Sequence, residues 1–186
     1  MATDQRRDLE DRLIDLLDRV IGWLQFAESK NTGIVGLIAT ALGLIVTFLV
    51  AGPSVPSLAG MGLVIGALLL MFSLLFAIAS LLPVTDLERT LVEAREPPEQ
   101  GDTLIFYGHL ARYEPRALVQ AVAIHYVAVT PEEVAVSKFA SDLAVQIVTN
   151  ARITVRKLRL YRAAVLLFGV GVLTATVAMA LAAFMR

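Results

Sequence analysis

The apolar positions of this chain follow two different patterns. Through residues 4–30, Leu9, Leu13, Leu16/Leu17, Val20, Leu24 and Ala27 recur every three or four positions, with Asp, Glu and Arg between them. That spacing predicts an amphipathic helix. Beyond it the charged positions vanish in three runs, 33–51, 58–82 and 163–184. A hydrocarbon core of about 30 Å needs roughly 20 helical residues, so each run is long enough to span it. The first run follows a stretch of both charge signs and is longer than a secretory h-region, so it reads as a span rather than a signal peptide. Gly52–Ser57 carries no charge and turns the first two spans into a helical hairpin.

The central segment, 83–162, is patterned as short helices. Thr85 and Glu88 form a capping box for a helix ending near Arg95, Pro97-Pro98 stops it, and Glu99–Asp102 reads as a turn. Helical stretches are predicted over 103–112 and 115–129. Thr130, Pro131 and Glu133 have the chemistry of a helix start, and nothing breaks helicity afterwards, so one helix of about 80 Å is expected from Pro131 to Phe184. A core drawn from 83–162 alone, partly consumed by that helix, is marginal. It needs the N-terminal helix or neighbouring copies to close it, and a homo-oligomer is expected. The fold class is therefore an all-α integral membrane protein with three transmembrane helices, a hairpin plus a long C-terminal helix, and a small helical cytoplasmic domain. The divisions are a cytoplasmic amphipathic helix (1–32), the hairpin (33–82), a cytoplasmic helical sensing region (83–162) and the third span (163–186).

Composition agrees: 57% of residues are hydrophobic and 18% charged, whereas a soluble domain has about a quarter charged. Sixteen basic and seventeen acidic residues leave a net charge of −1, which argues against nucleic acid as a partner. There is no cysteine, and the two histidines lie apart, so neither a disulfide nor a metal site is expected. Arg6, Arg7, Arg12, Arg19 and Lys30 precede the first span, and the central segment carries ten basic residues. The positive-inside rule places both in the cytoplasm and the C-terminus, with Arg186, outside. The spans hold no ionisable side chain, which disfavours a pump or an ion-coupled transporter.

Candidate chemistry is sparse. No phosphate-binding glycine loop, zinc-hydrolase motif or nucleophile elbow is present, and Glu132-Glu133 fits a helix N-terminus better than an acid–base pair. No catalytic residue and no cofactor are expected. The unusual string is Phe106-Tyr107-Gly108-His109-Leu110-Ala111-Arg112. It offers stacking surface and cationic donors on adjacent turns, suited to a nucleobase and a phosphate; a core aromatic pair beside solvated His109 and Arg112 is the alternative. Arg152, Arg156, Lys157, Arg159 and Arg162 form a basic cluster before the third span. It serves as a topology signal and a contact for anionic headgroups, or else supplies Arg152 and Arg156 to the ligand.

Trp23…Phe26-Ala27-Glu28-Ser29-Lys30-Asn31 running into a hairpin, then Phe106–Ala111, then Asp142-Leu143-Ala144-Val145-Gln146-Ile147 and a basic approach to a last span, resembles the Pycsar transmembrane effector family, PycTM. The matching positions are Trp23, Glu28, Lys30, the string containing Gly108, Asp142, Gln146 and Lys157. The resemblance implies a membrane effector of a bacterial antiphage system, not an enzyme. Its functional partner is a pyrimidine cyclase whose product, cyclic CMP or cyclic UMP, activates it. The effector then impairs inner-membrane integrity and causes abortive infection. No familiar cyclic-nucleotide-binding β-roll is present, so a ligand site would lie between helices. The competing reading is a structural or scaffold membrane protein whose cytoplasmic helices dock a soluble partner.

Overall fold

The computed structural model describes residues 3–52, 56–83, 97–99, 101–130 and 136–184. Its helices are α1 (Thr3–Ala51), α2 (Ser57–Leu81), α3 (Tyr107–Leu110), α4 (Pro115–Tyr126) and α5 (Lys138–Phe184), and no strand occurs among the described residues. Two compact units result: residues 1–26 with 83–156, and residues 27–82 with 157–186.

The amphipathic segment and the first span are one helix. Buried Leu9, Leu13, Leu16, Val20, Ala27, Asn31, Ile34, Ile38 and Ile45 recur at spacings of three, four or seven throughout α1. Near residue 31 only the outer face changes, from charged to apolar, while the inner stripe continues.

In the first unit, the Leu9–Val20 stripe packs with Leu104, Leu110, Leu118, Val119, Val122, Ala144, Ile147 and Val148. The N-terminal helix thus closes the small core that the central segment could not complete alone. Pro115 begins α4 at the position where a missing N–H costs nothing. The helix ends at Val127, and Ala128 follows with φ +55°, a left-handed conformation that favours glycine.

Two helix boundaries correct the sequence reading. The long C-terminal helix begins at Lys138, not Pro131, because Val136 and Ser137 are not helical. Ser137 caps it: its Oγ accepts the Ala140 N–H at 3.0 Å and donates to Glu10 Oε1 at 2.7 Å. The Ser137 hydroxyl, with Arg6, holds the Glu10 carboxyl below its usual pKa. The stretch expected as a helix over 103–112 is instead the single turn α3, preceded by tight turns. The capping box at Thr85–Glu88 and the start at Thr130–Glu133 fall on residues 84–96 and 131–135, outside the described residues apart from Thr130.

The second unit is inside-out relative to a soluble domain. On α2 the buried positions are Ala59, Leu63, Gly66, Leu70, Ser73, Ala77 and Ser80, a strict 4-3 alternation of mostly small residues. The outward positions are large and apolar, including Leu58, Met61, Leu68, Phe72, Leu75 and Phe76. Small inside and bulky outside is how helices pack when the solvent is hydrocarbon. Against α2 lie Ile34, Ile38 and Ile45 of α1 and Ala164, Ala175 and Ala178 of α5. At the α2–α5 crossing, a Cβ on Gly66 would stand 3.0 Å from the Gly171 carbonyl oxygen, and one on Gly62 would stand 2.8 Å from Ala178 Cβ. Gly62 and Gly66, spaced as GxxxG on α2, are therefore both used within the chain. Ser73 Oγ donates to Ala164 O at 2.7 Å, and Thr40, Thr174 and Thr176 donate to carbonyls one turn back, so these hydroxyls are satisfied without water.

Candidate functional site

The string that stands out in the sequence lies in the first unit, organised around Asp102. The Asp102 side chain is only 3% exposed. Its Oδ2 accepts the Glu99 N–H at 3.0 Å, and its Oδ1 lies 3.2 Å from Arg112 Nη1 and 3.5 Å from His109 Nε2. The Thr103 N–H donates to His109 Nδ1 at 3.0 Å, which leaves the ring proton on Nε2, facing the carboxylate. The Glu99 hydrogen bond, then His109 and Arg112, hold the Asp102 carboxyl below its usual pKa. His109 and Arg112 are thus a clasp on Glu99 and the segment 101–105. Arg152 is 2% exposed; its Nε donates to Ala111 O and its Nη2 to Tyr113 O, both at 3.0 Å. The guanidinium collects carbonyls at the end of α3 that would otherwise be buried without donors. Arg156 is exposed.

The aromatic half of the string is more accessible. Phe106 packs on Tyr107 (centroids 4.4 Å apart) and edge-on to His109 (5.2 Å), while Tyr107 meets Trp23 at 5.2 Å and Trp23 meets Phe26 at 5.9 Å. Trp23, Phe26 and Phe106 keep more than a third of their surface exposed. A Cβ at Gly108 would fall 2.5 Å from the Phe106 ring, so a side chain there would push the ring aside. Burial raises the pKa of the Tyr113 phenol, with the Asp102 charge adding to it.

Sequence reasoning missed a neighbouring pair of clefts. One, of about 450 Å³, is lined by Arg12, Asp15, Leu16 and Arg19 of α1, Ile105, and His125 and Tyr126 at the end of α4. The other, of about 370 Å³, shares His125 and Tyr126 and is bounded by Glu99, Asp102, Thr103 and Leu104. Ile105 walls the first, and Glu99 and Asp102 to Leu104 the second. Arg12 and Arg19, two turns apart on one face, are the available signal, hidden because a polar stripe on an amphipathic helix ordinarily means only solvation.

The remaining motif positions separate. In the second unit, Lys157 Nζ, 8% exposed, pairs with Glu28 Oε1 at 2.9 Å. Beside them Asn31 donates to Ser80 Oγ, and Ser80 donates to Lys157 O at 3.3 Å. Lys30, on the other hand, is exposed, as are Gln146 and Asp142, the last paired with Lys138. Among the described residues no cluster of metal-ligating side chains occurs.

Three helices long and apolar enough to cross a bilayer, with small residues between them and bulky ones outside, define a helical membrane protein. The Pycsar effector protein domain, PycTM, matches residues 12–184, and the chain belongs to that family. It is accordingly a membrane effector of a cyclic-nucleotide antiphage system. Neither the curated proteins nor the solved structures yield a match.

Proposed function

We propose that a cyclic pyrimidine mononucleotide, cyclic CMP or cyclic UMP, made by a partner pyrimidine cyclase, switches this protein to a state that impairs the inner membrane and aborts infection. In this reading 1–32 and 83–162 are the cytoplasmic sensor, 33–82 and 163–186 are the membrane part, and the C-terminus is extracytoplasmic. The basic residues ahead of the first and third spans support that orientation. The protein acts by changing conformation and not by turnover, as an assembly of several copies.

The observation that carries the reading is the extent of the family match: residues 12–184 take in the soluble helices and all three spans together. Two of those spans are also the continuations of α1 and α5, the helices that supply much of the first unit's core. A ligand gates such a protein only if it binds one conformation more tightly than another. Phe106 packs on Tyr107 and Tyr107 on Trp23, an aromatic cluster within the sensor. His109, Arg112 and Arg152 act by holding the fold around the site.

The test is growth and membrane potential in cells expressing the protein with and without a pyrimidine cyclase. Potential is expected to collapse only when both are present. Retained potential in the presence of both, with the nucleotide accumulating, overturns the membrane half of the proposal. Collapse with the protein alone overturns the gating half.

A further inference from the structure

We infer that the cleft between α1 and the end of α4 is the nucleotide's binding site, with Arg12 and Arg19 taking its phosphate; this rests on the cyclic-nucleotide reading above. At about 450 Å³ the cleft falls within the size range of small-molecule sites. Arg12 and Arg19 lie two turns apart along one face of α1, and both side chains line it. Arg12 pairs with Asp8 at 3.4 Å, but both side chains are about half exposed (52% and 48%), and such a pair is easily exchanged for a phosphate. Arg19 makes no hydrogen bond or ion pair among the described residues.

The rest of the wall fits the rest of the ligand. Tyr126 (41% exposed) and Ile105 (43% exposed) give apolar surface for the base and ribose. Asp15, between the two arginines, is an acceptor for a ribose hydroxyl. Across His125 and Tyr126 lies the second cleft, whose polar wall is acidic, with Glu99 and Asp102. Arg112 pairs with both of these carboxylates, at 3.3 Å and 3.2 Å, so the available charge of the groove is the basic end at Arg12 and Arg19. A cyclic mononucleotide matches that end with an anionic phosphodiester and sets its base against Tyr126 and Ile105. The sequence-selected string serves this site indirectly, since its His109 and Arg112 hold Asp102 and with it the loop that carries Ile105.

The full chain in detergent, titrated calorimetrically with cyclic CMP and cyclic UMP, tests the assignment. Inorganic phosphate and a short-chain phosphatidylglycerol serve as the other probes. Arg12→Gln and Arg19→Gln are each expected to weaken nucleotide binding roughly tenfold or more, the loss typical of a charge-assisted hydrogen bond. Arg7→Gln, which removes the same charge from the same helix outside the cleft, is expected to bind as the parent does. Tyr126→Leu is expected to weaken nucleotide and leave phosphate binding unchanged. A parent chain that binds nucleotide while Arg12→Gln and Arg19→Gln bind equally well overturns the placement and leaves the proposed function standing. A parent chain that binds neither nucleotide overturns both, as does saturation of the cleft by the lipid alone. Matching helical content and melting temperature exclude misfolding as the cause of any loss.

Discussion

The α2–α5 crossing makes the most quantitative demand on the structure. A Cβ at Gly171 would sit 3.1 Å from the Gly66 carbonyl oxygen, 3.1 Å from Leu70 Cγ and 3.2 Å from Leu69 Cβ, and one at Gly66 would meet the Gly171 oxygen at 3.0 Å. Alanine at either position forces a separation of a few tenths of an ångström, costing about 1–3 kcal/mol of packing, against about 1 kcal/mol gained in helix propensity. The net effect of Gly66→Ala is a loss of roughly 0–2 kcal/mol. Isoleucine cannot be accommodated by so small a shift and should cost roughly 3 kcal/mol or more. Gly36 and Gly43 on α1 have nothing within 4 Å of the same position, so Gly36→Ile and Gly43→Ile should cost nearly nothing. Because the chain has no cysteine, dyes on two introduced near the ends of α2 and α5 can follow their separation through a denaturing-detergent titration. Midpoints should fall for the Gly66 and Gly171 variants and hold for the Gly36 and Gly43 variants. The reverse order would show that the glycine pair on α2 packs elsewhere, and the arrangement of the spans would be wrong.

Three further outcomes are expected. The Asp102 carboxyl is held below its usual value of 3.8, so the stability it contributes is fully present above that pH and lost as pH falls through the lower folded value; melting curves from about pH 6 to about pH 3 should show the loss, and Asp102→Asn should remove that part of the pH dependence. Arg152→Leu leaves the Ala111 and Tyr113 carbonyls without their donor and should destabilise the first unit by about 2–4 kcal/mol, visible as faster hydrogen exchange across α3 and α4, with Arg152→Lys recovering only part. Ala128→Gly relieves a left-handed residue and should stabilise by about 1 kcal/mol, read as a higher denaturation midpoint.

Much of this protein is legible in the sequence because its solvent changes along the chain. Each span follows from the length of an uncharged run, and the Leu9–Val20 stripe points to a helix that must be covered. The boundaries are harder. Asn31-Thr32-Gly33 looks like a break because the outer face changes character there, yet the 4-3 stripe runs on and Thr32 simply donates to Glu28 O one turn back, at 3.0 Å. Thr130-Pro131 has better capping chemistry than Ser137 on paper. The bond from Ser137 to Glu10, 127 positions away, is a tertiary contact that no local pattern reveals. The same limit explains the string at Phe106–Arg112. Its residue types are unusual, but only the fold shows that Asp102 engages His109 and Arg112, and that the cationic pair facing a cleft is Arg12 and Arg19.

Greasy stripes of evenly spaced small and aliphatic residues have a weakness: slid by seven positions, they fit nearly as well as before. Asn31 interrupts the stripe of α1 with an amide that is wholly inaccessible, and its bond to Ser80 fixes α1 against α2 at one setting, while Ser80 in turn reaches the backbone of α5 at Lys157. A misaligned trio would strand those groups away from any donor or acceptor. Alignment of the three spans during assembly is therefore dictated by a few hydroxyl and amide groups, while the bulk of the attraction comes from side chains that cannot tell one setting from the next.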